Sequence, residues 1–436
     1  MKKVLMASVL AVTSMLPTTM LHAEPKSESP AAWTHQEASK IERDSSNTAP
    51  LIEKEEIEQM APNHWVWDTW PLRNKDGSVA KVNGYKVIFA LTAPDDVLPG
   101  KRHDIATIRY FYSKNGQDWK MGGEAFDPEQ AYGSRQWAGS AMVEDGNIHL
   151  FYTATGRKGE DGITYEQRLA LANGEMTVSK DGISFSDWSH DIILEPQGEY
   201  YQTEEQSEGG ILYSFRDPWY FEDPKTGEEY ITFEGNSAGQ ASEQTCQPRN
   251  IGDEQYQGST EVSNEASAYN GNVGLAKLDS DDYTEWETLP PVLEADCVNQ
   301  QLERPHFVMK GNQYYLFVDS HKFTFSPGIE GPDGLYGFTA DSLYGNYEPL
   351  NESGLVVANP EDNPFQAYSW IVLPNGNVIS FVNYIDLGDV SLKEVGAQPV
   401  DFQYEHFGGT LAPTLKLSIH KDETRIVNEL QYGKVN

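Results

Sequence analysis

Three short stretches of this chain place a carboxylate where an apolar strand is about to begin. Trp67-Asp68-Thr69-Trp70-Pro71, Arg216-Asp217-Pro218-Trp219-Tyr220 and Glu303-Arg304-Pro305-His306-Phe307 each set an acid beside Trp or Arg, follow it with Pro and run on into hydrophobic sequence. Charge in such a position is costly unless it is paired or put to use. Carboxylates gathered in a cleft can act as nucleophile and as general acid and base. Trp on both sides of Asp68 suits an aromatic-walled sugar pocket, and two carboxyls are what retaining cleavage of a glycosidic bond requires, one attacking the anomeric carbon and one cycling between acid and base. The competing structural reading makes Asp68 a turn carboxylate, leaves Asp217 and Glu303 as ion partners of Arg216 and Arg304, and buries Trp67, Trp137 and Trp370 as core rings. The matched contexts favour one shared site.

Residues so far apart need an architecture that brings them together. An aromatic, β-branched segment recurs at Phe89, Phe151, Phe233, Phe317 and Phe381, at intervals of roughly 60 to 85 residues, which is the scale of a multi-stranded repeat. Each copy follows a polar motif: Trp67-Asp68, Trp137-Ala138-Gly139-Ser140, Arg216-Asp217, Glu303-Arg304 and Tyr368-Ser369-Trp370. Between motif and marker lie hairpin signals such as Asp145-Gly146-Asn147 and Lys310-Gly311-Asn312, so the two strands are predicted to pair. A second recurrence, Ser113-Lys114-Asn115-Gly116-Gln117-Asp118-Trp119, Ser179-Lys180-Asp181-Gly182-Ile183-Ser184-Phe185 and more loosely Asp279 to Trp286, fits turns between outer strands. Four strands in each of five repeats describe an all-β, five-bladed β-propeller whose innermost strands carry the polar motifs around a central, funnel-shaped active site. The polar stretch from Ala238 to Asn270 breaks the rhythm and reads as an insertion.

The rest of the chain sets the context. Residues 1–23 combine Lys2-Lys3, an apolar run and Leu21-His22-Ala23, the pattern of a secretory signal cut near Ala23; an uncleaved anchor is the alternative. No later stretch is apolar enough to span a membrane. Residues 24–60 read as a linker that ends in a short acidic helix over 52–60, and 61–436 as the propeller. Thirty-two basic against sixty-seven acidic residues give a net charge of −35, or −37 once Lys2 and Lys3 leave with the leader. Such a field disfavours nucleic acid and anionic membranes and is indifferent to a neutral substrate; it serves solubility, or adaptation to salt. Cys246 and Cys297, the two cysteines, would in an exported protein close a loop of about 50 residues, with two free thiols as the alternative. No metal-ligand spacing is present, so no metal and no cofactor are expected.

Taken as a set and in this order, Trp67-Asp68-Thr69-Trp70-Pro71, Trp137-Ala138-Gly139-Ser140, Arg216-Asp217-Pro218, Glu234-Gly235-Asn236 and Glu303-Arg304-Pro305 resemble the levansucrase and inulosucrase family, glycoside hydrolase family 68, over residues 60 to 430. The resemblance implies a secreted monomer that transfers fructose from sucrose to fructan or oligosaccharide acceptors or to water. By carry-over Asp68 is the nucleophile, Glu303 the acid/base and Asp217 the stabiliser of the transition state. Trp67, Trp137, Arg216 and Glu234 would position sucrose, while Gln301, His321 and Tyr368 would shape the glucose or acceptor side.

Three departures qualify it. Ala138 stands where some relatives carry Ser, removing a hydroxyl near the nucleophile. Gln300-Gln301 stands where Gram-positive relatives have an acidic calcium ligand and then Glu, so the cysteines would staple that region instead. His321 replaces their Arg and resembles the Gram-negative branch. The alternatives are a β-fructofuranosidase that passes fructose to water, an inulosucrase, and a non-catalytic sugar-binding propeller.

Overall fold

The computed structural model describes residues 29–180, 182–207 and 213–436, with the side chain of Ala241 excepted. The expected leader, its cut near Ala23 and Asp181 of one expected turn lie outside the described residues. Five antiparallel units surround a common axis, each opened by a motif strand: His64–Asn74, Arg135–Glu144, Phe215–Glu222, Glu303–Lys310 and Ala367–Val372. Each pairs with the marker strand that follows it, respectively Lys86–Pro94, Asn147–Thr155, Glu229–Asn236, Gln313–Ser320 and Asn377–Tyr384. The marker strands are buried on both faces over most of their length, which is why they read as continuous apolar runs rather than as alternation.

Third and fourth strands complete the blades. In blade 1 they are Thr107–Ser113 and Lys120–Glu124, in blade 2 Gln167–Ser179 and Gly182–Leu194, and in blade 3 Gly271–Leu278 and Trp286–Glu294. The three recurrent turns predicted between outer strands join these pairs. In blade 4 the strand Gly334–Ala340 is flanked by Glu348–Pro349 and Leu355–Ala358. Blade 5 divides its third position between Phe407–Leu411 and Pro413–His420, and Glu423–Tyr432 lies outermost. The innermost strands of blades 1 and 2 also pair in parallel at Leu72 and Ala141, which joins the two blades into one eight-stranded sheet. The ring closes where the Val435 N–H donates to the Gly116 carbonyl, 2.8 Å away, and the Trp119 indole N–H to the Gly433 carbonyl at 2.9 Å.

The five innermost strands share an irregularity. The pairing register slips between Trp67 and Trp70, Trp137 and Gly139, Arg216 and Trp219, Glu303 and His306, and Tyr368 and Ile371, each time by one extra residue on the motif strand. In four of the five the extra turn is left-handed: φ is 42° at Asp68, 61° at Asp217, 50° at Arg304 and 59° at Ser369. Non-glycine residues seldom adopt that conformation, and Asp is among the more tolerant. A bulge re-aims the side chains beside it, so the motifs are built to point groups into the channel.

The stretch expected to be a linker is part of the structure from residue 29 on. Ala31–Ala32 adds a parallel strand beside Leu293 and Glu294 of blade 3. Trp33 is fully buried in blade 4, within 5.8 Å of the rings of Phe325, Tyr336 and Phe338, and its N–H donates to the Ser353 carbonyl at 3.1 Å. A four-residue helix with a capping box follows at His35–Ala38, and the acidic helix expected over 52–60 is one 3-10 turn, Lys54–Glu56. One anchoring ring and backbone pairing hold this segment, which hydrophobic periodicity does not register. The insertion from Ala238 to Asn270 is confirmed between two strands of blade 3; it carries short helical turns and is bridged by Cys246–Cys297, with Cα atoms 5.7 Å apart.

Candidate active site

The motif residues lie near the starts of the innermost strands, so one end of the channel collects groups from four blades. Glu303 opens its strand, and its side chain is 16% exposed, enough to face the channel while surrounded by donors. The Arg216 Nη2 donates to Glu303 Oε1 at 2.8 Å, and the Tyr368 hydroxyl donates to Oε2. His321 Nε2 lies 3.9 Å from the same Oε2. Burial pushes the Glu303 carboxyl up, but Arg216, His321 and Tyr368 outweigh it and hold it below the usual carboxylate range.

Arg216 has a second carboxylate. Its Nε is 2.7 Å from Glu234 Oε2 and its Nη2 donates to Glu234 Oε1 at 3.2 Å. Arg216 and Glu234 face each other across the hairpin register of blade 3, so the pair is fixed by the sheet itself. Glu234 is completely buried, and burial, opposed by Arg216 and assisted by Glu303 and Asp217, raises it to about 8.

Asp217 is held by a backbone N–H, and Arg304 acts on both Asp217 and Asp68. The Arg304 backbone N–H donates to Asp217 Oδ2 at 3.1 Å, while the Asp217 N–H donates to Thr153 Oγ1 at 2.9 Å. Burial raises Asp217 to about 6, with Arg216 and Arg304 pulling the other way. Asp68 is raised by burial too, with Arg304, a Ser369 hydrogen bond and Arg102 opposing. Arg304 follows Glu303 in the chain, meets Asp217 through its N–H and reaches the carbonyl of Thr69, the neighbour of Asp68, so the three carboxyls lie at one site. The Arg304 guanidinium donates to Ser369 Oγ and, at 3.1 Å, to the Thr69 carbonyl, tying blades 4, 5 and 1 together beneath the carboxylates.

His306, two residues after Arg304, has a structural role. Its Nε2 accepts from the Val372 N–H at 2.9 Å, which leaves Nδ1 to donate to the Arg304 carbonyl at 2.8 Å. Burial lowers it to about 3, so it stays neutral while locking Arg304 in place. The hydroxyl absent at Ala138 is offset from another blade, because Ser369 supplies the hydrogen bond to Asp68; the Ala138 carbonyl instead accepts from Thr153 Oγ1 at 3.0 Å.

The other expected residues divide into walls and supports. Trp67 is fully buried, its ring edge-on to His103 at 5.3 Å, and its indole N–H meets no acceptor among the described residues. Trp137 donates its N–H to the His103 carbonyl at 3.0 Å and tilts against Tyr165 at 6.2 Å. Gln301, two residues before Glu303, is buried; its N–H donates to Asn299 Oδ1 at 2.8 Å and its carbonyl accepts from Ser320 Oγ. Trp370 is a core ring, edge-on to Tyr368 at 5.7 Å, so packing is its role.

Sequence reasoning missed Arg102, His103, Asp319 and Asp333. Arg102 and His103 sit on the 3-10 helix Pro99–Ile105, which reads as an ordinary polar loop; Arg102 covers Trp67 at 5.3 Å. Asp319 faces Glu303 across the blade 4 hairpin, fully buried, with its carboxyl raised well above the usual range by burial. A carboxylate one residue before the end of the marker strand Gln313–Ser320 was the available signal. Asp333 orients His321: Nδ1 lies 2.7 Å from Asp333 Oδ2. Burial works against charge on His321, but Asp333 first, and then Glu303 and Asp68, raise it above the usual histidine value.

Residues 22–436 match the family described as Levansucrase/Invertase, glycoside hydrolase family 68. A levansucrase of Pseudomonas syringae pv. actinidiae is 37% identical over 93% of this chain and 93% of its own. The inulosucrase from Halalkalicoccus jeotgali, solved bound to kestose, superposes with a TM-score of 0.85 at 48% identity, covering 93% of this chain and 97% of that one. The catalytic domain of the Microbacterium saccharophilum K-1 β-fructofuranosidase gives 0.80 at 33%, over 91% and 90%.

Proposed function

Because the chain belongs to glycoside hydrolase family 68, we propose that it is a sucrose-dependent fructosyltransferase of the levansucrase type, working by retaining double displacement. The observation that carries the reading is the convergence of Asp68, Asp217 and Glu303 from three blades, with Arg216 and Tyr368 on the Glu303 carboxyl.

In the first step an Asp68 oxygen bonds to the anomeric carbon of the fructosyl unit as the glycosidic C–O bond breaks. The bonding electrons leave on the glucose oxygen, which takes a proton from Glu303. Asp217 faces the positive charge that develops on the ring, and the buried Arg304 opposes the burial that raises both aspartates, favouring their charged forms. In the second step Glu303 removes a proton from the acceptor hydroxyl, whose oxygen displaces Asp68. The indole N–H of Trp67 is a donor left for the bound sugar, and Trp137 forms the neighbouring wall.

A second reading concerns the bond made rather than the bond cut. The 48% identity to an inulosucrase favours inulin-type linkage, whereas the matching levansucrases are 35–37% identical and carry a different linkage in their name. The buried Cys297 and its bridge suit a compartment outside the cytoplasm.

The test is to incubate purified protein with sucrose and follow glucose and fructose separately. Glucose in excess of fructose supports transfer, and the linkage of the missing fructose decides between levan and inulin. Equal release means a hydrolase, and release of neither sinks the sucrose reading.

A further inference from the structure

A stack of rings climbs from the Glu303 carboxyl to solvent. Tyr368, whose hydroxyl donates to Glu303, stacks on His321 with centroids 3.7 Å apart and planes 9° apart. His321 in turn stacks on Phe323 at 4.9 Å and 13°. Phe323 is 41% exposed, among the more exposed large apolar side chains. A lone exposed ring needs no explanation, but this one is held in place from both sides. The preceding Lys322 N–H donates to Asp333 Oδ1 at 2.7 Å, the same carboxylate that orients His321. The following Thr324 N–H donates to the His321 carbonyl at 3.1 Å, and its own carbonyl accepts from the Gln300 N–H at 2.9 Å. Phe323 is therefore fixed outward, parallel to the rings that lead down to the acid/base.

The facing blade adds a polar group. Lys393, on the 3-10 helix Leu392–Ala397 of blade 5, lies with Nζ 5.1 Å from the Phe323 centroid and is itself exposed. One face of the ring is stacked on His321 and the Lys393 ammonium lies over the ring, so a sugar packs its C–H face on the aromatic where the exposed lysine swings aside, and the sugar hydroxyls meet that ammonium. Glu303 must bind the attacking hydroxyl of an acceptor, so the ring two stacking steps further out lies where the next sugar unit of a longer acceptor would pass.

Resting on the fructosyltransferase reading, we propose that Phe323 is the platform for the second sugar unit of the acceptor, and that it sets how the fructosyl group divides between sugar and water. Water gains nothing from the platform, whereas a di- or oligosaccharide held across it is fixed over the reacting centre.

The experiment compares wild type with Phe323→Ala, Phe323→Trp and Lys393→Ala, with sucrose as donor and a monosaccharide or a trisaccharide as added acceptor. Loss of one stacking contact is worth about a fivefold change. Phe323→Ala is expected to raise the ratio of free fructose to transferred fructose by about that factor and to raise KM for the trisaccharide likewise, with a much smaller change for the monosaccharide. Phe323→Trp should restore the trisaccharide KM, and Lys393→Ala should move it in the same direction as Phe323→Ala by less. An unchanged partition, or equal losses with every acceptor, would overturn the proposal. A wild type that does not split sucrose would instead overturn the enzyme reading beneath it.

Discussion

Arg216 holds Glu303 at 2.8 Å with the same guanidinium whose Nε lies 2.7 Å from Glu234. The fork bridges two carboxyl groups, one facing the channel and one fully buried. Such bridging needs planar, divergent N–H groups, which a lysine ammonium lacks. Arg216→Lys is therefore expected to keep the charge yet lose kcat/KM for sucrose on the order of a hundredfold, as when one donor to a reacting group is removed. Steady-state rates with sucrose check this, and near wild-type activity for the lysine variant would show that charge alone suffices.

Tyr368→Phe removes the hydroxyl from Glu303 Oε2 and leaves the ring stack in place. That hydroxyl helps to hold the Glu303 carboxyl down, so its loss raises the carboxyl's pKa. A general acid with a higher pKa stays protonated to higher pH, and the alkaline limb of the kcat profile moves upward. The rate at its optimum is expected to fall about tenfold, the value of one hydrogen bond to a charged group. A limb that stays put or moves down would contradict the assignment.

The blades were legible because Phe89, Phe151, Phe233, Phe317 and Phe381 sit on strands buried on both faces, where apolar runs and turn residues speak plainly. The carboxylates were legible because Asp68, Asp217 and Glu303 interrupt such runs. What could not be read was geometry carried by backbone, such as the left-handed residues that aim the motifs. Partners brought in from other loops were equally silent: Asp333, which orients His321, lies twelve residues beyond it in an unpatterned stretch. Trp33 is silent in the sequence because a single anchoring ring has no periodicity to announce it.

Glu234 ties the site to stability. Its carboxyl moves from an ordinary 4.5 to about 8 in the folded protein, so the folded state binds this proton more tightly than the unfolded chain. The stabilisation from this group is complete below the unfolded value and is lost as pH rises through about 8. Glutamine at 234 does not titrate. The melting temperature of Glu234→Gln relative to wild type should therefore improve steadily as pH rises across that window, whatever its offset at low pH. A difference independent of pH would contradict the shifted carboxyl.

The Cys246–Cys297 bridge spans 51 residues and anchors the blade 3 insertion beside the segment that leads to Gln301 and Glu303. In the chain-entropy account a loop of this length stabilises the fold by about 4 kcal/mol. Replacing both cysteines by serine, or reducing the protein, should lower the denaturant midpoint accordingly. An unchanged midpoint would mean that the insertion is held by its hydrogen bonds alone.

In retaining double displacement Asp68 becomes covalently fructosylated during turnover. This is tested most directly by rapidly quenching the enzyme during turnover, digesting it and locating any hexosyl adduct by mass spectrometry. To let the adduct accumulate, the same is done for Glu303→Gln with a fructosyl donor whose leaving group needs no proton. One adduct is expected, on the peptide containing Asp68, and none in Asp68→Ala. An adduct on Asp217 or Glu303, or turnover of sucrose that persists in Asp68→Ala, would contradict it.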